Sequence, residues 1–403
     1  MSLADRGLSL VLDPRRLSEL VGREATATRI RPKLGVSTVA SLVDEDGMPW
    51  GWVRTLTGET VAKAGKARQR AEELGLAEEF GEATLGGGET LVQWGTLASD
   101  PRLVKALSRL DLSQVQVLRH NPLRRLVGRL PGRDLVVRVT AHHHRDWLTS
   151  VVTDLADRGV AVVLPAGPLA ADLPQGRGVT WWPWVEGSDG ATVDPDRPGA
   201  DVALHAIGRT VGRLHSVDGT TVAHLPTRGW KELRAAATSS VELLEAVSPG
   251  TAAGARRVLN LLPEHAPVPS APAGMPWTVV CHGDMSLDQV LLHPHVGPLL
   301  TDFDRAVAAP AVIDHATFAA VDLIESRDSL GPAGEGYATV TGARPTAPGP
   351  WVAAVLLARV VEPWRAQTTG WAGETVRRAL LAGNALEVED VWARPIRELA
   401  VTP

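Results

Sequence analysis

The apolar positions along the chain change their period part-way. Val36 to Val43 and Trp50 to Leu56 are rich in β-branched and aromatic residues, and Asp44-Glu45-Asp46-Gly47 between them is a turn, so residues 27–56 predict two strands. Residues 58–75 predict a helix stopped by Gly75. Gly86-Gly87-Gly88 predicts a loop, Glu89 to Trp94 a strand, and Asp100-Pro101 the start of a further helix. Three strands are then expected at Val115 to Arg119, Arg125 to Leu130 and Leu135 to Thr140, with turns at His120-Asn121-Pro122 and Pro131-Gly132-Arg133-Asp134. A helix over 143–158 follows, stopped by Gly159, then strands at Val160 to Leu164 and Val179 to Val185 and a linker through 187–198. Beyond 200 the pattern is helical: 200–216, 230–247, 251–262, 310–328, 349–368 and 371–395, broken by apolar runs around a polar loop at 278–305. Strands first and helices afterwards predict an α+β chain.

The exception at 278–305 carries the chemistry. Val279-Val280-Cys281 leads into His282-Gly283-Asp284, an amide follows five residues later at Gln289, and Leu299-Leu300-Thr301 runs into Asp302-Phe303-Asp304. A protein kinase spaces its catalytic Asp, its metal-binding amide and its metal-binding Asp in this way. In-line phosphoryl transfer needs one carboxylate to orient the acceptor hydroxyl and accept its proton. It also needs hard oxygen ligands for Mg²⁺, which a second carboxylate and a carboxamide supply. Any one of these residues alone reads as an ordinary turn residue; together, between apolar strands, they read as a site.

These motifs resemble the aminoglycoside phosphotransferase and choline kinase superfamily, and Gln289 in place of the usual Asn resembles its maltokinase-like branch. Ala309 to Ala316 resembles that superfamily's Gly-Asp-Pro-x-x-Asp-Leu-Ala segment, matching at Asp314 and Ala316. The resemblance covers about 114–330. It implies a two-lobed protein-kinase-like fold: an N-terminal extension over 1–113, a β-rich nucleotide lobe over 114–186 and a helical lobe over 187–403. It implies Asp284 as catalytic base with His282 in the same loop, orienting it, and Gln289, Asp302 and Asp304 as Mg²⁺ ligands. Asp314 would be a structural carboxylate. The donor would be ATP or GTP and the acceptor a hydroxyl of an aminoglycoside, amino sugar or related sugar. The chain departs from the kinase pattern on the nucleotide side. Arg138 stands where a strand Lys is expected, the loop is His120 to Arg125 with Arg124 and Arg125 instead of glycines, and Asp146 or Asp154 would replace the helix Glu. Trp181 to Gly187 occupies the hinge, with Trp184 a candidate wall for the base. These departures leave two other readings, a nucleotide-binding pseudokinase and a kinase of peptide Ser or Thr.

Charge and composition narrow this only a little. A net charge of −5 over 403 residues excludes a general nucleic-acid binder. Residues 116–146 hold seven Arg against two Asp, and 276–340 hold nine Asp or Glu against two Arg, which fits phosphates on one side and metal, or a cationic acceptor, on the other. One cysteine precludes a disulfide framework, and the apolar run from Trp351 to Val361 is short and contains Arg359, so a cytoplasmic protein without a membrane partner is expected. His142-His143-His144 reads as a solvated helix start, because consecutive residues cannot face one ion.

Overall fold

The computed structural model describes residues 3–141, 146–267 and 274–399. His142, His143 and His144 lie outside them, as does the side chain of Asp146. The fold is α+β and protein-kinase-like, with antiparallel sheets in the N-terminal part and helices in the C-terminal part. The chain divides into two compact units: Met1–Asp146, Pro165–Trp184 and Trp364–Thr368 form the first, and Trp147–Leu164, Val185–Pro363 and Thr369–Pro403 the second.

The first unit opens with helices α1 (Leu3–Val11) and α2 (Pro14–Val21), then strands β1 (Thr26–Lys33), β2 (Ser37–Val43) and β3 (Pro49–Thr57), helix α3 (Gly65–Glu73), and strands β4 (Phe80–Leu85) and β5 (Thr90–Thr96). The strands form one antiparallel sheet in the order β1-β2-β3-β5-β4. Both faces of β3 are covered. Trp52 packs on Phe80, Ala67 and Ala71 on the α3 side, while Thr55 on the opposite side lies under Gly7 of α1. A strand covered on both faces loses clean alternation. β1 and β4 were not expected from the sequence. In β1 the register slips between Thr28 and Arg31, with Arg29 at φ 53°, so a bulge scrambles its period. In β4, Gly81 has no side chain because the Trp94 ring occupies its place.

Helix α4 (Val104–Leu107) leads to the second sheet, β6 (Gln116–Asn121), β7 (Arg125–Leu130), β8 (Leu135–Thr140) and β9 (Val179–Pro183), antiparallel in that order. Leu126, Leu130, Leu135, Val137, Val139, Val179 and Trp181 point to one side and form its core. Asp100 opens only the short turn before α4. One carboxylate oxygen accepts from the Arg102 and Leu103 amides, and the other reaches His120 at 3.1 Å and the Leu123 amide at 2.7 Å.

The second unit contains α5 (Asp146–Asp157) from Trp147 on, β10 (Ser188–Asp189), α6 (Ala200–His215), α7 (Trp230–Val247) and α8 (Pro249–Leu261). Strands β11 (Val279–Cys281), β12 (Val290–His293), β13 (Gly297–Leu300) and β14 (Val307–Ala309) follow, then helices α9 (Val312–Glu325), α10 (Leu330–Thr341), α11 (Gly349–Ala358), α12 (Glu362–Ala366, shared between the units), α13 (Trp371–Leu386) and α14 (Ile396–Leu399). Several expectations are corrected here. The stretch 160–164 makes a single parallel bridge, Val162 to Leu300, rather than a strand. The helix expected over 349–368 is two helices, because Pro363 cannot donate into a continuing helix and starts a new one. The helix expected over 371–395 ends at Leu386, and Asp390 caps a separate turn by accepting from Trp392. Helix α10 was unforeseen, its glycines reading as loop.

α9 is almost wholly buried and carries Asp314, His315 and Asp322. Burial pushes the Asp322 carboxyl up to about 7, against the hydrogen bonds from Ser329. Burial, with His215 nearby, pulls His315 down to about 3. No helix among the described residues is long and apolar enough to cross a membrane.

Candidate active site

β11 and β14 pair antiparallel with Cys281 opposite Val307, so the residues after one strand and before the other are held side by side. The first of these segments is His282-Gly283-Asp284 and the second Asp302-Phe303-Asp304-Arg305. Between them the β12–β13 hairpin runs out and back. Its pairing extends past the strands, the Thr301 amide donating to the Gln289 carbonyl at 3.0 Å. Gln289 and Asp302 therefore leave the same end of one hairpin. His282 is fully buried. Its Nε2 meets the Thr301 carbonyl at 2.7 Å and its ring packs on Phe303, fastening the two segments together.

Gly283 shows why that triplet has a glycine at its centre. Its φ is 77°, and a Cβ there would come 2.0 Å from the Arg305 carbonyl oxygen. Asp314, at the start of α9, holds the loop from behind. Its two oxygens accept from the His282 amide at 2.6 Å and the Gly283 amide at 2.8 Å, and His215 approaches at 3.1 Å. Burial raises this carboxyl's pKa, but the His215 contact and the loop amides outweigh it and hold it below its ordinary value. Cys281 lies beside them, fully buried, its thiol pushed well up by burial. His215, Cys281 and Asp314 lie close enough to suggest a metal, but the carboxylate oxygens already serve the loop amides and the thiol faces the Ala309 and Pro310 carbonyls.

Asp284 is partly exposed. Its Oδ1 receives both Arg305, at 3.2 Å, and Arg359, at 3.1 Å. Arg228 donates to the adjacent Gly283 carbonyl at 3.4 Å. Burial lowers the Arg228 pKa, and Arg305 nearby adds to the effect. Burial also works against Arg359, but Glu362 and Asp284 outweigh it and keep the guanidinium above its ordinary value. The acidic stretch over 276–340 is thus met here by Arg305 from within that window and by Arg228 and Arg359 from outside it. Arg228 and Arg359 went unrecognised because they lie just before α7 and just after α11, where no local pattern marks them.

Asp302 adopts φ 54°, an uncommon conformation for a residue with a side chain, and its carbonyl accepts from the Asp304 amide at 2.7 Å. The Gln289 carboxamide donates to Asp288 at 2.6 Å, which turns its oxygen to the other side. Asp284, Gln289, Asp302 and Asp304 are therefore gathered around one hairpin end in the second unit. Two carboxylates and a carboxamide oxygen form a hard donor set suited to Mg²⁺.

Arg138, Arg124, Arg125 and Trp184 all belong to the first unit. Arg138 is buried on β8, opposite Val127 and Thr180. Arg124 is exposed at the β6–β7 loop and Arg125 begins β7. Leu123 in that loop takes φ 62°, a conformation usually left to glycine, with its amide bound to Asp100. Trp184 donates its amide to the Asp134 carbonyl at 2.7 Å, and Arg129 lies 4.0 Å over its ring. Asp154, a candidate partner for Arg138, is engaged by Arg158 at 2.9 Å.

The phosphotransferase enzyme family matches residues 109–347 of this chain. No curated protein matches it. Similar solved structures include a spectinomycin phosphotransferase in complex with ADP and spectinomycin, at 14% identity over 68% of this chain and 88% of that one, with a TM-score of 0.47. A macrolide 2'-phosphotransferase from Brachybacterium faecium is 17% identical over 67% of this chain and 93% of that one, with a TM-score of 0.43. An aminoglycoside phosphotransferase from Streptomyces rimosus is 19% identical over 64% and 96%, with a TM-score of 0.46. With more than half of its length matched, the chain belongs to the phosphotransferase enzyme family, the kinases that place a phosphoryl group on hydroxyls of small molecules.

Proposed function

We propose that this chain moves the terminal phosphoryl group of ATP or GTP, with Mg²⁺, onto a hydroxyl of an aminoglycoside, amino sugar or related sugar. The observation that carries the reading is the common hairpin end shared by Asp284, Gln289 and Asp302. Asp284 orients the acceptor hydroxyl and takes its proton. With Oδ1 committed to Arg305 and Arg359, its Oδ2 has no hydrogen-bond partner among the described residues and is the oxygen for that task. His282 and Asp314 position the loop. Gln289 and Asp302, with Asp304, would hold Mg²⁺, which when bound offsets charge on the donor phosphates. Arg138, Arg124 and Arg125 contact the donor phosphates, and Trp184 walls the base. The arginines around Asp284 argue against selection of the acceptor by positive charge alone.

The test is a mass-spectrometric transfer assay with Mg-ATP and Mg-GTP against a panel of aminoglycosides, amino sugars and maltose-like sugars. A product is expected, slowed about 10²–10⁴-fold by Asp284→Asn. Equal rates with and without the carboxylate would remove Asp284 from its role. Nucleotide binding without any product would favour the pseudokinase reading.

A further inference from the structure

The turn between β6 and β7 is held in a form that its own sequence disfavours. The Arg124 amide donates to the Asn121 carbonyl at 3.0 Å, which closes a β-turn with Pro122 second and Leu123 third. Leu123 has φ 62°. Proline second and a positive φ third is the type II form, whose third position is ordinarily glycine. The type I form would give Leu123 a negative φ, and it differs from type II by a reversal of the central peptide.

That central peptide, Pro122 to Leu123, is gripped at both ends. Its amide, on Leu123, donates to Asp100 Oδ2 at 2.7 Å, and its carbonyl, on Pro122, accepts from Arg31. Neither grip comes from the sheet that bears the turn. Arg31 is on β1 and Asp100 lies just past the end of β5, so both are supplied by the N-terminal part of the same unit. Asp100 is itself fixed and fully buried. Its Oδ1 accepts from the Arg102 and Leu103 amides, and its Oδ2 also meets His120 Nε2 at 3.1 Å. A reversed peptide would turn the Pro122 carbonyl towards the carboxylate and the Leu123 amide towards the guanidinium, acceptor against acceptor and donor against donor. Backbone strain of this kind persists where the surroundings over-determine it, and it gathers at ligand clamps.

The next residues along the chain are Arg124 and Arg125, to which the donor phosphates are assigned above, and the inference rests on that assignment. We propose that Arg31 and Asp100 are positioning residues for phosphoryl transfer, which fix the Pro122–Leu123 peptide and so set the direction in which Arg124 leaves the turn to meet the donor phosphates. The segment before residue 114 is then a working part of the nucleotide site. It shapes a loop that in protein kinases is shaped by glycines.

The experiment is calorimetric titration of the full chain with Mg-ATP and with adenosine, beside urea unfolding. Asp100→Asn keeps one acceptor oxygen and turns the other into a donor. Arg31→Leu releases the opposite end of the peptide. The penalty of a side chain in the left-handed region shifts the balance between the two turns roughly tenfold, so each variant should bind Mg-ATP about tenfold more weakly, with adenosine unchanged. Leu123→Gly adopts the left-handed form without that penalty. Added to either variant, it should restore most of the Mg-ATP affinity. Arg31→Leu with this rescue decides the case in which Asp100→Asn does not fold. Undiminished Mg-ATP binding by either variant, where Arg124→Ala weakens it, overturns the inference and leaves the donor reading intact. Losses that Leu123→Gly does not restore, shared by adenosine and accompanied by a lowered unfolding midpoint, assign the two residues to stability alone and also overturn it. If Arg124→Ala leaves Mg-ATP binding unaltered, or the wild-type chain binds none, the donor reading itself falls, and the inference with it.

Discussion

Gly283 ties sequence to site more closely than any other single residue. A methyl there meets the Arg305 carbonyl at 2.0 Å and must adopt φ 77°. Gly283→Ala should therefore cost about 2 kcal/mol or more in stability, from backbone strain and overpacking. Urea unfolding measures it, and a cost under about 0.5 kcal/mol, the range of neutral surface changes, would contradict the described loop. Asp284, Gln289 and Asp302 could be picked out as candidates because a kinase's catalytic spacing falls along one stretch of chain. Asp314 was legible as a structural carboxylate, and the structure gives its partners, the His282 and Gly283 amides. Arg228 and Arg359 were not legible, since they reach Asp284 and its loop from helices whose sequences give no sign of that contact. Arg138 was picked as a candidate because it stands on the strand where a kinase carries its phosphate-pairing lysine.

Elements were read well where one physical rule dominated. The three strands over 114–140 alternate with tight turns, and all three were found within two residues of their ends. Reading failed where two rules competed. Helix α10 contains Gly331, Pro332, Gly334 and Gly336, which signal loop, but two glycines at the α6–α10 crossing serve close packing instead. A Cβ on Gly336 would lie 1.9 Å from the His205 carbonyl, and one on Gly208 would lie 1.9 Å from the Ala333 carbonyl. These helices meet backbone to backbone, a distance only glycine permits. Gly336→Ala is expected to destabilise by about 1–3 kcal/mol, although alanine is the better helix former. A variant as stable as the wild type or more so in thermal unfolding would show that helix propensity outweighs the crossing.

For the molecule as a whole, two buried groups of α9 set opposing responses to pH. The folded value of Asp322, about 7, lies above its unfolded value of 3.8, so the folded state keeps a proton that the unfolded chain gives up. Stability from this group is full below pH 4 and declines as pH rises towards 7. His315, at about 3 against 6.5 unfolded, stays neutral where the unfolded chain takes a proton, so its contribution is present above pH 6.5 and declines as pH falls. Between these limits the slopes cancel. Asp322→Asn should uncover the histidine slope, its stability relative to wild type rising by up to about 1.4 kcal/mol per pH unit between pH 4 and 7. Parallel denaturation curves for the two proteins across that range would sink the assignment. The general class was legible at this scale, because strands precede helices. The interleaving of the two units was not, because it depends on contacts between residues far apart in the chain. That interleaving bears on how the protein is made. Thr28 of β1 donates to the Ala366 carbonyl, 338 residues away, and residues 364–368 complete the first unit. At about 5–20 residues per second, a ribosome needs roughly 20–70 s to travel from one to the other. For that time the N-terminal sheet stands on the nascent chain without its last segment, and its own two-sided core has to keep it folded until that segment emerges.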